Sequence, residues 1–201
     1  MANILTDLKN TILAGIVLAV ILVLVLMGIY NEGYSNDHYW WAFLFRWLHV
    51  LSGIMWIGIL WYFNFVQIPN MPSIPDEQKP AISKVIAPAA LFWFRWAAMS
   101  TIITGLILAW LNGYLFDAYT LGLTSGVAKS TAIGVGMWLG TIMWFNVWFI
   151  IWPKQKIALG IVESEPGEAA KAAKTAMLFS RTNTMLSVPM LFAMVAAQNI
   201  L

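Results

Sequence analysis

The sequence predicts an all-α integral membrane protein with five transmembrane helices, and three observations lead there. Of its 201 residues, 61% are hydrophobic and 10% charged, against about 45–50% and about 25% in a soluble domain. The apolar residues gather in five runs, each close to the roughly 20 residues that carry a helix across a bilayer. Lysines and arginines crowd the connections on one side of those runs. A soluble monomer of this size has no core large enough to hide so much apolar surface, so soluble enzymes and disordered chains are excluded. The absence of cysteine excludes disulfides, thiolate metal sites, iron–sulfur clusters and covalently attached haem. A net charge of +2 is too small to suggest a nucleic-acid partner.

The first predicted span, Ile12–Tyr30, contains no charged residue and is longer than a signal-peptide core, so it reads as a retained helix. The second is Phe43–Val66. The third, Leu91–Leu115, follows Pro88, and the fourth, Thr131–Trp152, stops at Pro153. The fifth, Ala176–Ile200, contains Pro189, tolerated where neighbours satisfy the freed carbonyl. Between spans two and three, Asp76–Ile86 reads as a brief interfacial helix among prolines. Pro166-Gly167 breaks the next inner connection, and Glu168–Lys174 reads as the water-exposed start of helix five. Residues 116–130 read as a flexible loop, and the loop Asn31–Trp41 carries Glu32 and Asp37.

Charge sets the orientation. Lys9, Lys79, Lys84, Arg95, Lys154, Lys156, Lys171, Lys174 and Arg181 share one side, while the other holds only Arg46 and Lys129. This predicts a multi-pass protein of the inner (plasma) membrane with a cytoplasmic amino terminus and an outside carboxyl terminus.

The spans repeat. Met55-Trp56-Ile57-Gly58 and Phe63-Asn64 recur as Met137-Trp138-Leu139-Gly140 and Phe145-Asn146, always 82 residues on. Arg95 and Met99 recur, 86 residues on, as Arg181 and Met185. Helices 2–5 are therefore expected to form a four-helix bundle from two parallel helix-pair repeats, 43–115 and 131–200, related by an axis along the membrane normal. The whole chain, 1–201, is then one transmembrane domain, with helix 1 (12–30) outside the bundle or at a subunit contact.

At 100° per residue, His49, Gly53, Trp56, Leu60, Asn64 and Gln67 share one face of helix 2, with Arg46 beside it and Gly58 and Tyr62 opposite. A polar stripe on a spanning helix turns inward. His49 is the one histidine within a predicted span. It is either the axial ligand of a haem b, hence the candidate metal ligand, or a packed histidine bonding across helices. Asn64, Gln67 and Asn146 are candidates for a polar bundle interior. Arg95 and Arg181 either snorkel to headgroups or hold an anion such as a haem propionate. Trp56 packs or flanks a planar ligand. No phosphate-binding glycine loop, H-E-x-x-H motif or pair of intramembrane carboxylates is present.

Four blocks together resemble the PuuD family, the membrane-bound urate hydroxylases: Arg46-Trp-Leu-His49 through Gly58, Phe92-Trp-Phe-Arg95 through Met99, Phe145-Asn146 through Pro153-Lys-Gln-Lys156, and Ser180-Arg181 through Pro189-Met-Leu-Phe192. They cover helices 2 to 5 in order. The resemblance implies a membrane redox protein (an oxidoreductase) in which the membrane part oxidises urate and a separate cytochrome c accepts the electrons. It points to Arg46, His49, Trp56, Arg95 and Arg181 as cofactor-binding residues. Larger family members add a cytochrome c domain, whereas these 201 residues hold no CxxCH. Two places where the family has histidine are Thr182 and Gln198 here. The alternative is a non-catalytic accessory or scaffold subunit of a larger respiratory or oxidase complex. Either way the expected partners are the lipid bilayer and further copies or a larger membrane assembly.

Overall fold

The computed structural model describes residues 2–30 and 37–201, and their regular structure is helical throughout. The chain divides into two compact units, Met1–Trp40 and Trp41–Leu201. Glu32, expected in an outer loop, lies outside the described residues.

In the first unit, a short turn, Ala2–Leu5, precedes α1, Leu8–Tyr30. Asp7 caps α1: its carboxylate accepts the backbone N–H of Lys9 at 2.8 Å and of Asn10 at 3.1 Å, which satisfies two donors that a helix start leaves free. None of the α1 span is buried, as a helix uniformly apolar around its girth permits when lipid is the solvent.

The second unit is built from α2 (His38–Tyr62, whose first residues precede the unit boundary), α3 (Ala87–Leu111), α4 (Leu115–Tyr119), α5 (Ala128–Phe145) and α6 (Glu168–Asn199). Among the described residues, four runs are long and apolar enough to cross a membrane: Leu8–Leu26, His38–Ser73, Lys79–Leu111 and Ala128–Ala158. The expected fifth, α6, forms as a helix but is less apolar. It opens with Glu168, Lys171 and Lys174 and carries Ser180, Arg181, Asn183 and Gln198.

The apolar runs outlast their predicted ends because prolines do not stop them. Ile68, Ala87 and Trp152, each one residue before a proline, donate their N–H to the carbonyls of Phe63, Ile82 and Val147, five residues back. A proline ring collides with the carbonyl four residues before it, and these wider π-turns (Phe63–Gln67, Ile82–Ile86, Asn146–Ile151) carry the helix past Pro69, Pro88 and Pro153. The fourth span accordingly runs on to Ala158, and Asp76–Ile86 contributes its last turns to the start of the third span instead of forming a separate interfacial helix.

Residues 116–130 are ordered, not a flexible loop. α4 occupies their start, and Asp117 accepts hydrogen bonds from Thr124 Oγ1 and Ser125 Oγ, both at 2.6 Å. Gly134 lets α5 lie against α4, since a Cβ there would strike the Ala118 carbonyl. α6 packs most extensively along α5. The core gathers Trp56, Leu60, Phe63, Phe94, Met143 and Val147 from α2, α3, α5 and their π-turns against Ala176 and Met190 of α6.

Candidate functional site

Where α2 faces α3, α5 and α6, the packing leaves a cavity of about 740 Å³, within the roughly 300–1,000 Å³ of small-molecule sites. Its walls are chiefly apolar, and the polar groups on it are few: Arg46, His49, Thr101, Tyr114, Tyr119, Thr141 and Gln198. Gly53, Gly58 and Gly140 also line it, and a Cβ at any of the three would meet open space. Three methionines, Met137, Met190 and Met194, complete one side.

His49 is held in a defined way. Its Nδ1 lies 2.9 Å from the Thr101 carbonyl and 3.4 Å from Thr104 Oγ1. A carbonyl only accepts, so Nδ1 carries the hydrogen and the neutral ring has its lone pair on Nε2. Nε2 has no hydrogen-bond partner among the described residues, and the residue lines the cavity. Gly105 makes room for the ring, since a Cβ there would come within 2.8 Å of its Cε1. One turn on, Ser52 and Ser100 share a 2.8 Å hydrogen bond, which adds a second polar tie between α2 and α3. Orientation of an imidazole through one nitrogen is how proteins prepare the other as a ligand or acceptor.

Tyr114, on the turn after α3, joins the cavity beside Arg46. Burial pushes its hydroxyl above the usual tyrosine range, and the Arg46 cation pulls the other way. Tyr119 and Thr141 share a 3.1 Å hydrogen bond across α4 and α5.

The structure thus brings Arg46, His49 and Trp56 to one cavity and sends the other predicted residues elsewhere. Trp56 is fully buried, and its Nε1 has no hydrogen-bond partner among the described residues. Asn64 donates to Ser180 Oγ at 2.8 Å, and Asn146 donates to Asn183 Oδ1 at 2.8 Å. Asn183 in turn donates to the Met143 carbonyl at 2.9 Å. Both asparagines therefore bind α2 and α5 to α6. Gln67 lies beyond them, its Oε1 buried without a partner. Arg95 stacks on Trp152, its guanidinium carbon 3.3 Å from a ring centroid, and its Nε donates to the Leu91 carbonyl. Arg181 is exposed. Gly58, counted to the opposite face of α2, also reaches the cavity.

Sequence reasoning missed Thr101, Thr104 and Gly105, the groups that hold His49. Their signal is a Thr-x-x-Thr-Gly run of small and polar residues in an otherwise apolar helix. It also missed Ser180, Asn183 and Ser187, spaced three and four apart as one helical stripe, and Tyr114 at the cavity end.

An all-helical chain with several membrane-length apolar helices around an apolar, histidine-bearing cavity is the class of protein these features define. Residues 122–199 match the family described as Urate oxidase N-terminal, which links the chain to a urate-oxidase-related family. The match takes in α5 and α6 with Asn146, Arg181 and Gln198, and leaves Arg46, His49, Trp56 and Arg95 outside it. No curated protein and no solved structure matches the chain.

Proposed function

We propose that the chain is a PuuD-like membrane redox protein whose cofactor site is the cavity beside His49, and that the cofactor is haem b. The observation that carries this is the state of His49. Its Nδ1 is engaged by a backbone carbonyl, and its Nε2 is the one ring nitrogen left for a ligand on an otherwise apolar cavity. The residues fit the group. His49 would hold it through Nε2, Met137, Met190 or Met194 would stand as a second ligand, and Gly53, Gly58 and Gly140 leave open space along the walls. Haem, when bound, supplies a one-electron centre. The chain's own contribution is to fix the imidazole through Thr101, to exclude water with Trp56 and the aliphatic walls, and to place Arg46 at one end.

The reading includes five spans, with α6 crossing as the fifth, and two parallel repeats related by an axis along the membrane normal. Four buried places on α3 (Phe94, Ala97, Thr101, Thr104) match four on α6 (Ser180, Asn183, Ser187, Met190) at the constant 86-residue offset, which supports the repeat. The amino terminus is cytoplasmic, urate is the candidate substrate, and a separate cytochrome c is the candidate acceptor.

One observation favours the second reading, an accessory or scaffold subunit. Gln198, at a place where the family resemblance expects histidine, lies on the same cavity, and Thr182, at the other, bonds its own helix at Leu178.

The deciding measurement is the ultraviolet–visible spectrum of the detergent-purified full chain, oxidised and dithionite-reduced. A Soret band that shifts on reduction and disappears in His49→Ala, with wild-type thermal stability retained, is the expected result. Protein that keeps its native ligands yet absorbs only through its tryptophans overturns the haem reading and leaves the accessory one.

A further inference from the structure

The cavity is apolar along most of its length but carries one cation, Arg46, at one end, and a second, Lys129, lines a small space adjoining it. Arg46 lines it there with Tyr114 and Gln198. A small adjoining cavity of about 60 Å³ shares Tyr114, Ile133 and Gln198 with the large one and adds Lys129 and Ser130. The two spaces thus meet at three common residues, and each brings one positive charge. No aspartate or glutamate lines either. Asp117, on nearby α4, is engaged by Thr124 and Ser125. Among the described residues the one ion pair is Lys79–Asp76, so Arg46 and Lys129 have no described carboxylate partner.

A cation beside low-dielectric space is stabilised by an opposite charge. Two cations without a carboxylate at one end of an apolar chamber repel a metal ion and leave a neutral apolar molecule indifferent to that end. They favour a ligand that is apolar for most of its length and anionic at one extremity, with charge-assisted hydrogen bonds to that head. We propose that the cavity takes an amphiphilic anion, its apolar body between α2, α3, α5 and α6 and its carboxylate or phosphate head at the end formed by Arg46, Tyr114, Gln198 and Lys129. This rests on the cavity being a ligand site, but not on the ligand being haem.

The test uses the full chain in phosphatidylcholine nanodiscs, with cis-parinaric acid and its methyl ester as probes, read by energy transfer from the protein's tryptophans. Binding of the acid at least ten-fold tighter than the ester is expected. Arg46→Gln and Lys129→Gln should each cut that preference at least three-fold. Lys129 is exposed in the first turn of α5, so Lys129→Gln carries the test even where Arg46→Gln does not fold. The acid-over-ester preference is read on chain purified without haem, so the absence of a haem spectrum and the absence of the preference are separate results, and failure of the cofactor reading and failure of this one are separable. Equal binding of acid and ester, or a preference that survives in both charge variants, overturns the proposal. Discs containing phosphatidylglycerol distinguish the source: displacement of the acid assigns the head site to a lipid phosphate, and undiminished binding assigns it to a free carboxylate.

Discussion

α3 and α6 each bury four side chains spaced three, four and three residues apart and use them in opposite order. On α3 the series runs Phe94, Ala97, Thr101, Thr104, apolar first and polar second. On α6 it runs Ser180, Asn183, Ser187, Met190, polar first and apolar last. The polar trio of α6 receives Asn64, Asn146 and Trp61 from its neighbours, so it ties helices together. The polar pair of α3 receives His49, so it aims a side chain at a cavity. Lipid gives little hydrophobic drive for one helix to join another, and the hydrogen-bonded stretch is where packing closes. Away from it the chamber opens, while His49 and Ser52 keep α2 tied to α3. The residue 82 places after His49 is Thr131, whose hydroxyl bonds the Leu121 carbonyl at 2.8 Å.

Exchanging residues between the two helices breaks this contrast. The largest effect is expected from Asn183→Ala, which gives α6 the residue that α3 has at Ala97. It leaves Asn146 Nδ2 buried without its partner and takes from the Met143 carbonyl its second donor, a loss of about 3 kcal/mol, read by thermal unfolding in detergent. A loss under a few tenths would show that this junction holds nothing together. Gly105→Leu, the reverse exchange because α6 has Leu191 there, drives a side chain into the His49 ring. Overpacking should cost about 2 kcal/mol, and with it the His49–Thr101 bond. The check is the ligand spectrum proposed above, which should vanish together with ligand affinity.

The arginines sharpen the comparison at smaller scale. Arg95→Gln removes a cation stacked on Trp152 and should cost about 1 kcal/mol, whereas the matched Arg181→Gln, on an exposed side chain, should leave the unfolding temperature unchanged. Equal effects would mean that the stacking contributes nothing. The smallest effect belongs to Asp117, in the connection between the halves. The hydroxyls of Ser125, Ser130 and Thr124 hold its pKa down to about 2 from 3.8. A depressed carboxylate stabilises above its unfolded pKa and loses that contribution as pH falls through the folded one. Wild type should therefore show an acid-side loss of loop protection below pH of about 4, measured by amide exchange of residues 120–127, and Asp117→Asn should flatten it.

Much of the fold was legible because hydropathy is a local property: the apolar runs, the start of α6 after Pro166-Gly167, and the inward turn of the His49 stripe follow from composition and helical spacing. Helix ends were not, because a π-turn ahead of a proline is settled by backbone hydrogen bonding that residue type alone does not announce. The site was half legible. His49, Arg46 and Trp56 share one helix face, so periodicity places them together. Thr101, Gly105, Tyr114 and Gln198 come from other elements, and their meeting depends on tertiary packing. Arg95 shows the same limit from the other side, since its stack on Trp152 joins two segments that spacing leaves unrelated.

Two of the π-turns fall where similar stretches of the sequence change their spacing. Met55–Asn64 and Met137–Asn146 match at a constant 82 residues, but Pro69 and Pro153 are 84 apart. Two added residues in a straight α-helix would swing every later side chain by about 200°. Here the π-turn Asn146–Ile151 is six residues long against five in Phe63–Gln67, and a wider turn takes up part of that rotation. A difference of two residues between the two stretches thus falls inside a helix that runs on without a break.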